Sequence, residues 1–386
     1  MKVRIAGVGM TPQGRSEHGP GVLATQAAHG ALRDADVEAE RIRLIVVSNA
    51  LGGLLSDHEC IRGQSWLHGA GLGTAPIANV DNGCAGGATA MHLGWLAALA
   101  GQGPVLVVGV EKMWTGDRRA TLNGIENCLT SEQRYELRET VAGAAGSVFM
   151  GLNADWAESQ IRERGHTVEQ FAAAASKARR HGALNPHAQH RTEVTVEEVL
   201  ASPQVEGPLT RLMCSSFTDG AAAVVLSTDD ISGAPVVRAS VARSGDATSD
   251  YHTRLTELAK LAYDTAGVGP SDMDAVELHD ATGAEELYAL ECLRLYDEGE
   301  AGVATMRGDT TFGTKNAVIN PSGGLVARGH PLGATGLDQV VEIALHLRGG
   351  AGERQIPGAR LGMTVNTGGI ISGDVGSICV HVLERG

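Results

Sequence analysis

Four short stretches of the chain carry residue types that could do chemistry. Cys84 stands in Val80-Asp81-Asn82-Gly83-Cys84-Ala85-Gly86-Gly87, just ahead of an Ala-, Leu- and Gly-rich segment reaching to Ala100. A thiol at a strand-to-helix junction faces helix N-terminal N–H groups, which favour the thiolate and lower its pKa. Small neighbours also leave room for a substrate. A plain core thiol is the other reading, and the stretch by itself supports the two about evenly. The second stretch runs from Asn320-Pro321-Ser322-Gly323-Gly324 through Gly329-His330-Pro331-Leu332-Gly333-Ala334-Thr335-Gly336. Here His330 sits between Gly and Pro before a predicted helix, so a tight turn holds its ring where it can meet a thiolate or an acyl oxygen. A solvent-exposed loop histidine fits the flanking glycines poorly.

The third stretch is Val276-Glu277-Leu278-His279-Asp280-Ala281-Thr282-Gly283-Ala284-Glu285-Glu286. It places His279 between a strand end and a helix start, where open α/β sheets gather reactive groups. A capping segment with Asp280 or Thr282 on the helix N–H groups reads equally well. The fourth, Val365-Asn366-Thr367-Gly368-Gly369, could aim backbone N–H groups at an oxyanion or simply turn the chain.

The elements that would position these residues alternate. Met1–Val8, 43–48, Pro104–Val110 and Ala221–Ser227 are predicted strands, with a helix over 85–100. A second round follows: a strand at 275–278, helices over 285–296 and 337–347, and closing strands at 361–365 and 377–383. The order predicts an α/β protein of two similar units, 1–230 and 231–386. Between the first strands and the return at Cys214, the charged residues 116 to about 205 read as an excursion over the core, a usual place for substrate and partner surfaces. Within it, Arg179, Arg180 and Arg191 read better as solvated helix charges than as phosphate ligands.

Composition narrows the function classes. A formal net charge of -14 over 386 residues, without a lysine-rich block, argues against tracking nucleic-acid phosphates. Apolar runs break well short of the roughly 18 residues a membrane helix needs, and the start lacks a signal-peptide core. A soluble, intracellular (cytoplasmic) protein is expected. Six cysteines without a CxxC pair argue against a disulfide framework or a zinc ribbon, so no metal site is expected, and the five cysteines other than Cys84 read as core fillers.

Together the four stretches, in this order, resemble the thiolase superfamily over nearly the whole chain. The Gly-His-Pro-Leu-Gly-Ala-Thr-Gly run behind Asn-Pro-Ser-Gly-Gly is its most specific mark. The His279-Asp280 pair is similar to the sterol-carrier-protein-x branch, as are Lys177–Pro186 and Asp219–Ala223. The resemblance implies two α/β halves, each a five-stranded mixed sheet, stacked as five helix and sheet layers with a loop domain, and a dimer. It implies an acyltransferase of lipid metabolism that uses a coenzyme A thioester, or a carrier-bound acyl group, as substrate, with no tightly bound cofactor. Cys84 matches the nucleophile, His330 the histidine that activates it, and His279 an oxyanion-hole position. Gly368, with the Cys84 N–H, matches the second oxyanion hole, and Asn366 and Gly324 belong to the implied substrate-binding set. Ser244–Tyr251 falls where the family contacts pantetheine, but it is acidic and departs from the family pattern. No sterol-carrier domain is expected after Gly386.

One departure shapes the expected chemistry. Thiolases use a second thiol as acid and base on the substrate α-carbon, and its two family positions hold Asn366 and Ala281 here. Neither moves a proton at neutral pH. Cys, His and His without that thiol resemble decarboxylative condensing enzymes and C-acyltransferases rather than reversible thiolysis. A retro-aldolase of CoA thioesters with an OB-fold, zinc-ribbon partner subunit is the alternative within the branch, and a non-catalytic acyl- or lipid-binding subunit is the alternative outside catalysis.

Overall fold

The computed structural model describes residues 2–141, 147–246 and 248–386. Residues 142–146 of the expected excursion and Ala247 of the 244–251 loop lie outside that range. Ten strands form one sheet: β1 (Val3–Met10), β2 (Leu44–Ser48), β3 (Ile77–Val80), β4 (Val105–Glu111), β5 (Gly220–Ser227), β6 (Val236–Ser244), β7 (Ala275–Glu277), β8 (Val318–Ile319), β9 (Leu361–Ile371) and β10 (Asp374–Glu384). The first half has the order β3-β2-β4-β5-β1 and the second β8-β7-β9-β10-β6. In both halves the first three strands of that order are mutually parallel and the remaining pairs antiparallel. One unit is therefore used twice, as the sequence order predicts. The two edges also meet, through Val3 opposite Val237 and Arg4 opposite Val236. That short seam pairs backbone groups that two separate sheets would leave open.

The main helices are α1 (Pro20–Ala35), α2 (Gly86–Ala97), α3 (Val148–Arg164), α4 (Val168–Ala183), α5 (Tyr251–Ala266), α6 (Gly283–Cys292) and α7 (Thr335–Arg348). Layering follows from strand alternation. On β4, Val105 and Val107 join a core shared with α2 and α7, while Leu106, Val108 and Val110 join the core under α1. Neighbouring side chains of one strand thus serve opposite faces, which is why the run is apolar throughout. In the second half Val380 and Val382 pack in the core with α5. Helices α2 and α7 each pack on strands of both halves and on each other, so they form the central layer.

Element ends differ from the sequence expectation for local reasons. Helix α6 starts at Gly283, where the Thr282 side chain accepts the Glu285 N–H, and stops at Cys292 instead of 296 because Arg294 turns left-handed (φ 57°). Strand β9 continues to Ile371, held by full pairing with β10, where 365 was expected. Helix α2 ends at Ala97 and opens into a wider turn over Ala98–Gln102. No helix among the described residues is long and apolar enough to cross a membrane.

The polar segment of α4 is not a solvated face. Lys177, Arg179, His181 and Asn185 are buried, while Arg180 and Arg191 are exposed. Lys177 Nζ donates to Glu286 at 2.6 Å, His181 Nδ1 lies 3.0 Å from Asn320 O, and Asn185 Nδ2 donates to Ser322 O at 2.9 Å. The solvated reading holds for Arg180 and Arg191 and fails for Arg179, because charge on a helix face looks the same whether water or protein meets it. The cysteines also divide differently: Cys60 and Cys128 are exposed rather than core fillers.

The first turns of α2 and α7 touch backbone to backbone. A Cβ on Gly336 would fall 2.3 Å from Ala88 N, and one on Gly87 would fall 3.0 Å from Gly333 O. Gly336→Ala should therefore lower unfolding free energy by roughly 2–4 kcal/mol, since backbone is what it strikes. Urea unfolding would read this as a lower midpoint at unchanged slope, and a midpoint equal to wild type would refute the contact.

Candidate active site

Cys84 enters from the loop after β3, one turn ahead of α2, and remains half-buried. His279 follows β7 and precedes α6; His330 lies five residues ahead of α7. Each brings one donor atom into a cluster in which the three atoms lie within 4.8 Å of one another. The two imidazoles stand edge to face, with ring centroids 5.1 Å apart at 84°.

Hydrogen bonds fix both rings. Thr335 Oγ1 donates to Pro331 O at 3.0 Å, which uses its one proton, so the His330 Nδ1–H donates to Thr335 Oγ1 at 2.8 Å. The His330 Nε2 lone pair is left free as a base. The His330 backbone N–H donates to Thr218 Oγ1 at 3.0 Å, which fixes the turn itself. His279 Nδ1 donates to Glu285 Oε1 at 2.9 Å, and Glu285 Oε2 accepts the Ala281 N–H at 2.9 Å. The His279 Nε2 is buried without a partner among the described residues.

The turns that carry these rings are tied to buried carboxylates. Glu111, at the end of β4, accepts from Asn49 Nδ2, Ala50 N, Leu51 N and Gly333 N at 2.8 to 3.1 Å, joining the loop after β2 to the turn after His330. Glu277 holds Ser322 N (2.9 Å), Ser322 Oγ (2.8 Å) and Arg328 (3.1 Å), which fixes the Asn320–Gly324 turn. Asp280 accepts the Leu325 N–H at 2.8 Å, while Thr282 caps α6. The capping reading of that stretch and the reactive-histidine reading thus describe different residues of it.

The remaining sequence-predicted positions separate. Gly368 abuts Cys84: a Cβ there would fall 2.2 Å from Ala85 N and 2.8 Å from Cys84 N. Asn366, two residues earlier on β9, shares its strand face, while Met363 and Val365 turn to the other core. Asn366 is fully buried, and neither its Oδ1 nor its Nδ2 has a partner among the described residues. Gly324 lies elsewhere: its N–H donates to Ser322 Oγ at 3.1 Å, and its Cα faces the Asp280 carboxylate, where a Cβ would fall 2.2 Å from Oδ2.

The electrostatics reverse one expectation. Burial pushes the Cys84 thiol up, with the Cys128 thiol and the Glu285 and Glu111 carboxylates acting in the same direction. Local desolvation and negative neighbours therefore outweigh the helix N-terminus that the sequence suggested. His330 shifts down, well below its ordinary value, through burial and then through His279 and Arg328. The resting pair is thus a neutral thiol beside a neutral imidazole.

Similarity to known proteins follows the same geography. Residues 3–230 match the thiolase N-terminal domain, and residues 236–383 match the thiolase C-terminal domain-like family. The chain is 36% identical over 376 residues to an acetyl-CoA acetyltransferase of Methanothermobacter thermautotrophicus, covering 94% of each chain. It is 33% identical over 392 residues to sterol carrier protein 2 of Bos taurus, covering 95% of this chain and 70% of that protein. It is also 35% identical over 386 residues to the benzoylsuccinyl-CoA thiolase subunit BbsB of Thauera aromatica, covering 95% of each. Among solved structures, an Ltp2-ChsH2(DUF35) aldolase shares the fold with a TM-score of 0.81 at 20% identity, covering 100% of this chain and 98% of that one. The chain belongs to the thiolase superfamily.

It is an enzyme of that superfamily, an acyltransferase or thiolase by its relatives. Sequence reading passed over Glu285, Thr335, Thr218 and Glu111, which orient the thiolase-like cluster. Glu285 and Thr335 stand inside the two histidine stretches, at helix starts, and that placement was the available signal. With the thiol shifted up and His330 shifted down, Cys84 alkylation by iodoacetamide should rise about tenfold per pH unit from about pH 7 to 9 without a plateau. Peptide mass spectrometry would follow it, and a plateau below about pH 8 would show a stabilised thiolate instead.

Proposed function

We propose that the protein transfers an acyl group from a coenzyme A or carrier thioester to a carbon nucleophile through a Cys84 thioester. The observation that carries this is the convergence of Cys84, His279 and His330 within 4.8 Å, with Gly368 against the Cys84 N–H. His330 Nε2 takes the thiol proton as Sγ attacks the thioester carbonyl. A neutral thiol and a neutral base suit this concerted transfer, because no charge has to be kept desolvated beforehand. The tetrahedral oxygen is met by the backbone N–H groups of Cys84 and Gly368, and His279, its ring held by Glu285, stands at the other oxyanion position. Collapse breaks the carbon–sulfur bond to the leaving thiolate, which recovers the proton from His330. The acyl-Cys84 carbonyl then accepts a carbon nucleophile, and the Cys84 thiolate leaves and is reprotonated.

The acceptor step sets this protein apart from reversible thiolysis. Asn366 and Ala281 stand at the positions of a second thiol, and neither removes an α-proton. The carbanion equivalent must therefore arise by loss of carbon dioxide from the acceptor, or reside in an electron-rich aromatic ring that loses its own proton afterwards. We infer a substrate thioester with no tightly bound cofactor, a role in lipid metabolism, a cytoplasmic homodimer, and 1–230 and 231–386 as the working halves. A retro-aldol lyase with an OB-fold, zinc-ribbon partner is the second reading, favoured by the fold shared with the Ltp2-ChsH2(DUF35) aldolase.

Two measurements separate these readings. Incubation with acyl-CoA donors should add the acyl mass to Cys84, and Cys84→Ala should abolish turnover; full turnover by that variant would hand the site to the lyase. Asn366→Cys should add exchange of the acyl α-proton with deuterated water, which wild type lacks. Exchange at equal rates in both proteins would show that another group already serves as the base.

A further inference from the structure

A cavity of about 130 Å³ lies between α3 and the starts of α5, α6 and β10, and Glu285 forms part of its wall. Glu285 therefore belongs both to this cavity and to the reaction centre, where it holds His279. Exposed Asp250 and half-buried Asp374 stand on one side, and buried Thr282, Ala284 and Glu285 on another, so the space deepens from solvent toward the histidine. A protein cavity of about 150 Å³ holds benzene, which makes this one ring-sized.

Its lining describes an occupant. Only four Phe, four Trp and five Tyr occur in the chain, yet Trp156, Tyr251 and Tyr288 all line this space. The two tyrosine rings stack with centroids 5.7 Å apart, a flat wall that suits a ring better than a flexible chain. Neither tyrosine hydroxyl has a hydrogen-bond partner among the described residues, whereas those of Tyr263 and Tyr296 bond Leu293 O and Asp309 O. Gln160 is 3% exposed, lines the same cavity, and its Oε1 is buried without a partner. Gln160 Oε1 is thus a buried acceptor left unmatched in the cavity wall, which costs stability unless a ligand or water completes it, while the two tyrosine hydroxyls remain accessible.

The carboxylates around the cavity are already engaged. Asp374 accepts Tyr251 N at 2.9 Å and pairs with Arg254 at 3.2 Å, Asp250 caps α5 through Thr253 N at 2.8 Å, and Glu285 holds His279. An anion would meet three negative groups, and a cation would find none unpaired. We propose that this cavity binds an uncharged ring of the substrate acyl group carrying a hydroxyl or keto oxygen, held by Tyr251, Tyr288 and Gln160. This deepens the acyl-transfer reading and rests on it for the link to Cys84, but ring binding itself does not.

Calorimetric titration with para-cresol and with toluene tests the cavity directly. Wild type should bind para-cresol about tenfold more tightly than toluene. Gln160→Leu and Tyr288→Phe should each remove most of that preference while leaving toluene affinity unchanged. In turnover, both variants should lower kcat/KM about tenfold for para-hydroxyphenylacetyl-CoA and leave acetyl-CoA unaffected. Equal binding of the two probes, or binding of free pantetheine with neither probe, would overturn the proposal. Cys84→Ala should keep the para-cresol preference. If no donor acylates Cys84 and the preference still depends on Gln160, the acyl-transfer reading fails and the ring site stands.

Discussion

The reaction centre depends on how closely α2 and α7 approach. Each helix begins one turn after a reactive stretch, so the spacing of their first turns sets the distance from Cys84 to His330. Side chains of ordinary size between them would hold the axes 8–10 Å apart. Glycines at 87 and 336 remove that spacer, and Gly368 removes another where β9 passes the Cys84 N–H. The repeated half matters for the same reason. Two copies of one unit place equivalent helices in a shared central layer, so residues about 250 positions apart in sequence meet at one point.

Holding the turns rigid requires buried charge. Glu111 ties the loop after β2 to Gly333, Glu277 ties the Asn320–Gly324 turn to Arg328, and Glu286 ties α4 to the same turn through Lys177 and Asn320. Such groups are expensive to desolvate and repay the cost only when nearly every lone pair finds a donor. Glu286 is met by the Lys177 and Asn320 side chains, while Glu111 accepts three backbone N–H groups and Glu277 one, which fixes backbone position directly. That is the property a cluster of three reacting atoms needs, since misplacement by about 1 Å can cost about a hundredfold in rate. Burial raises the Cys84 thiol, and Glu111 is among the negative neighbours that add to it.

The fold and the gathering of Cys84, His279 and His330 were legible in the sequence because each lies in a stretch punctuated by Gly, Pro or Asn, whose backbone demands are specific. The strands showed as β-branched runs, and their repetition showed the two halves. What stayed hidden were groups whose residue type is common. A glutamate at a helix start, such as Glu285, looks like any favourable first-turn acid, and the contact with His279 exists only once the turn is folded. Arg179 looked solvated because periodicity reports a polar face without saying what lies against it. The ring-sized cavity was beyond reach, since its walls come from four elements between residues 153 and 374.

Asn366 brings these threads together. Along β9, Gly362, Thr364, Asn366 and Gly368 face the central layer, where most neighbours are apolar or already paired. A buried amide with both ends unmatched costs about 1–3 kcal/mol for each group left unsatisfied. Nothing in the packing of β9 against β10 requires an amide there, because its cross-strand partner is Cys379 and its backbone is already in the ladder. An apolar residue of similar volume would stabilise the fold, so the amide is best understood through what occupies the site during turnover. It offers one donor and one acceptor on the strand face that also carries Gly368. Under the proposed acyl transfer, a residue of that kind suits an acceptor whose carbanion is made by its own bond cleavage.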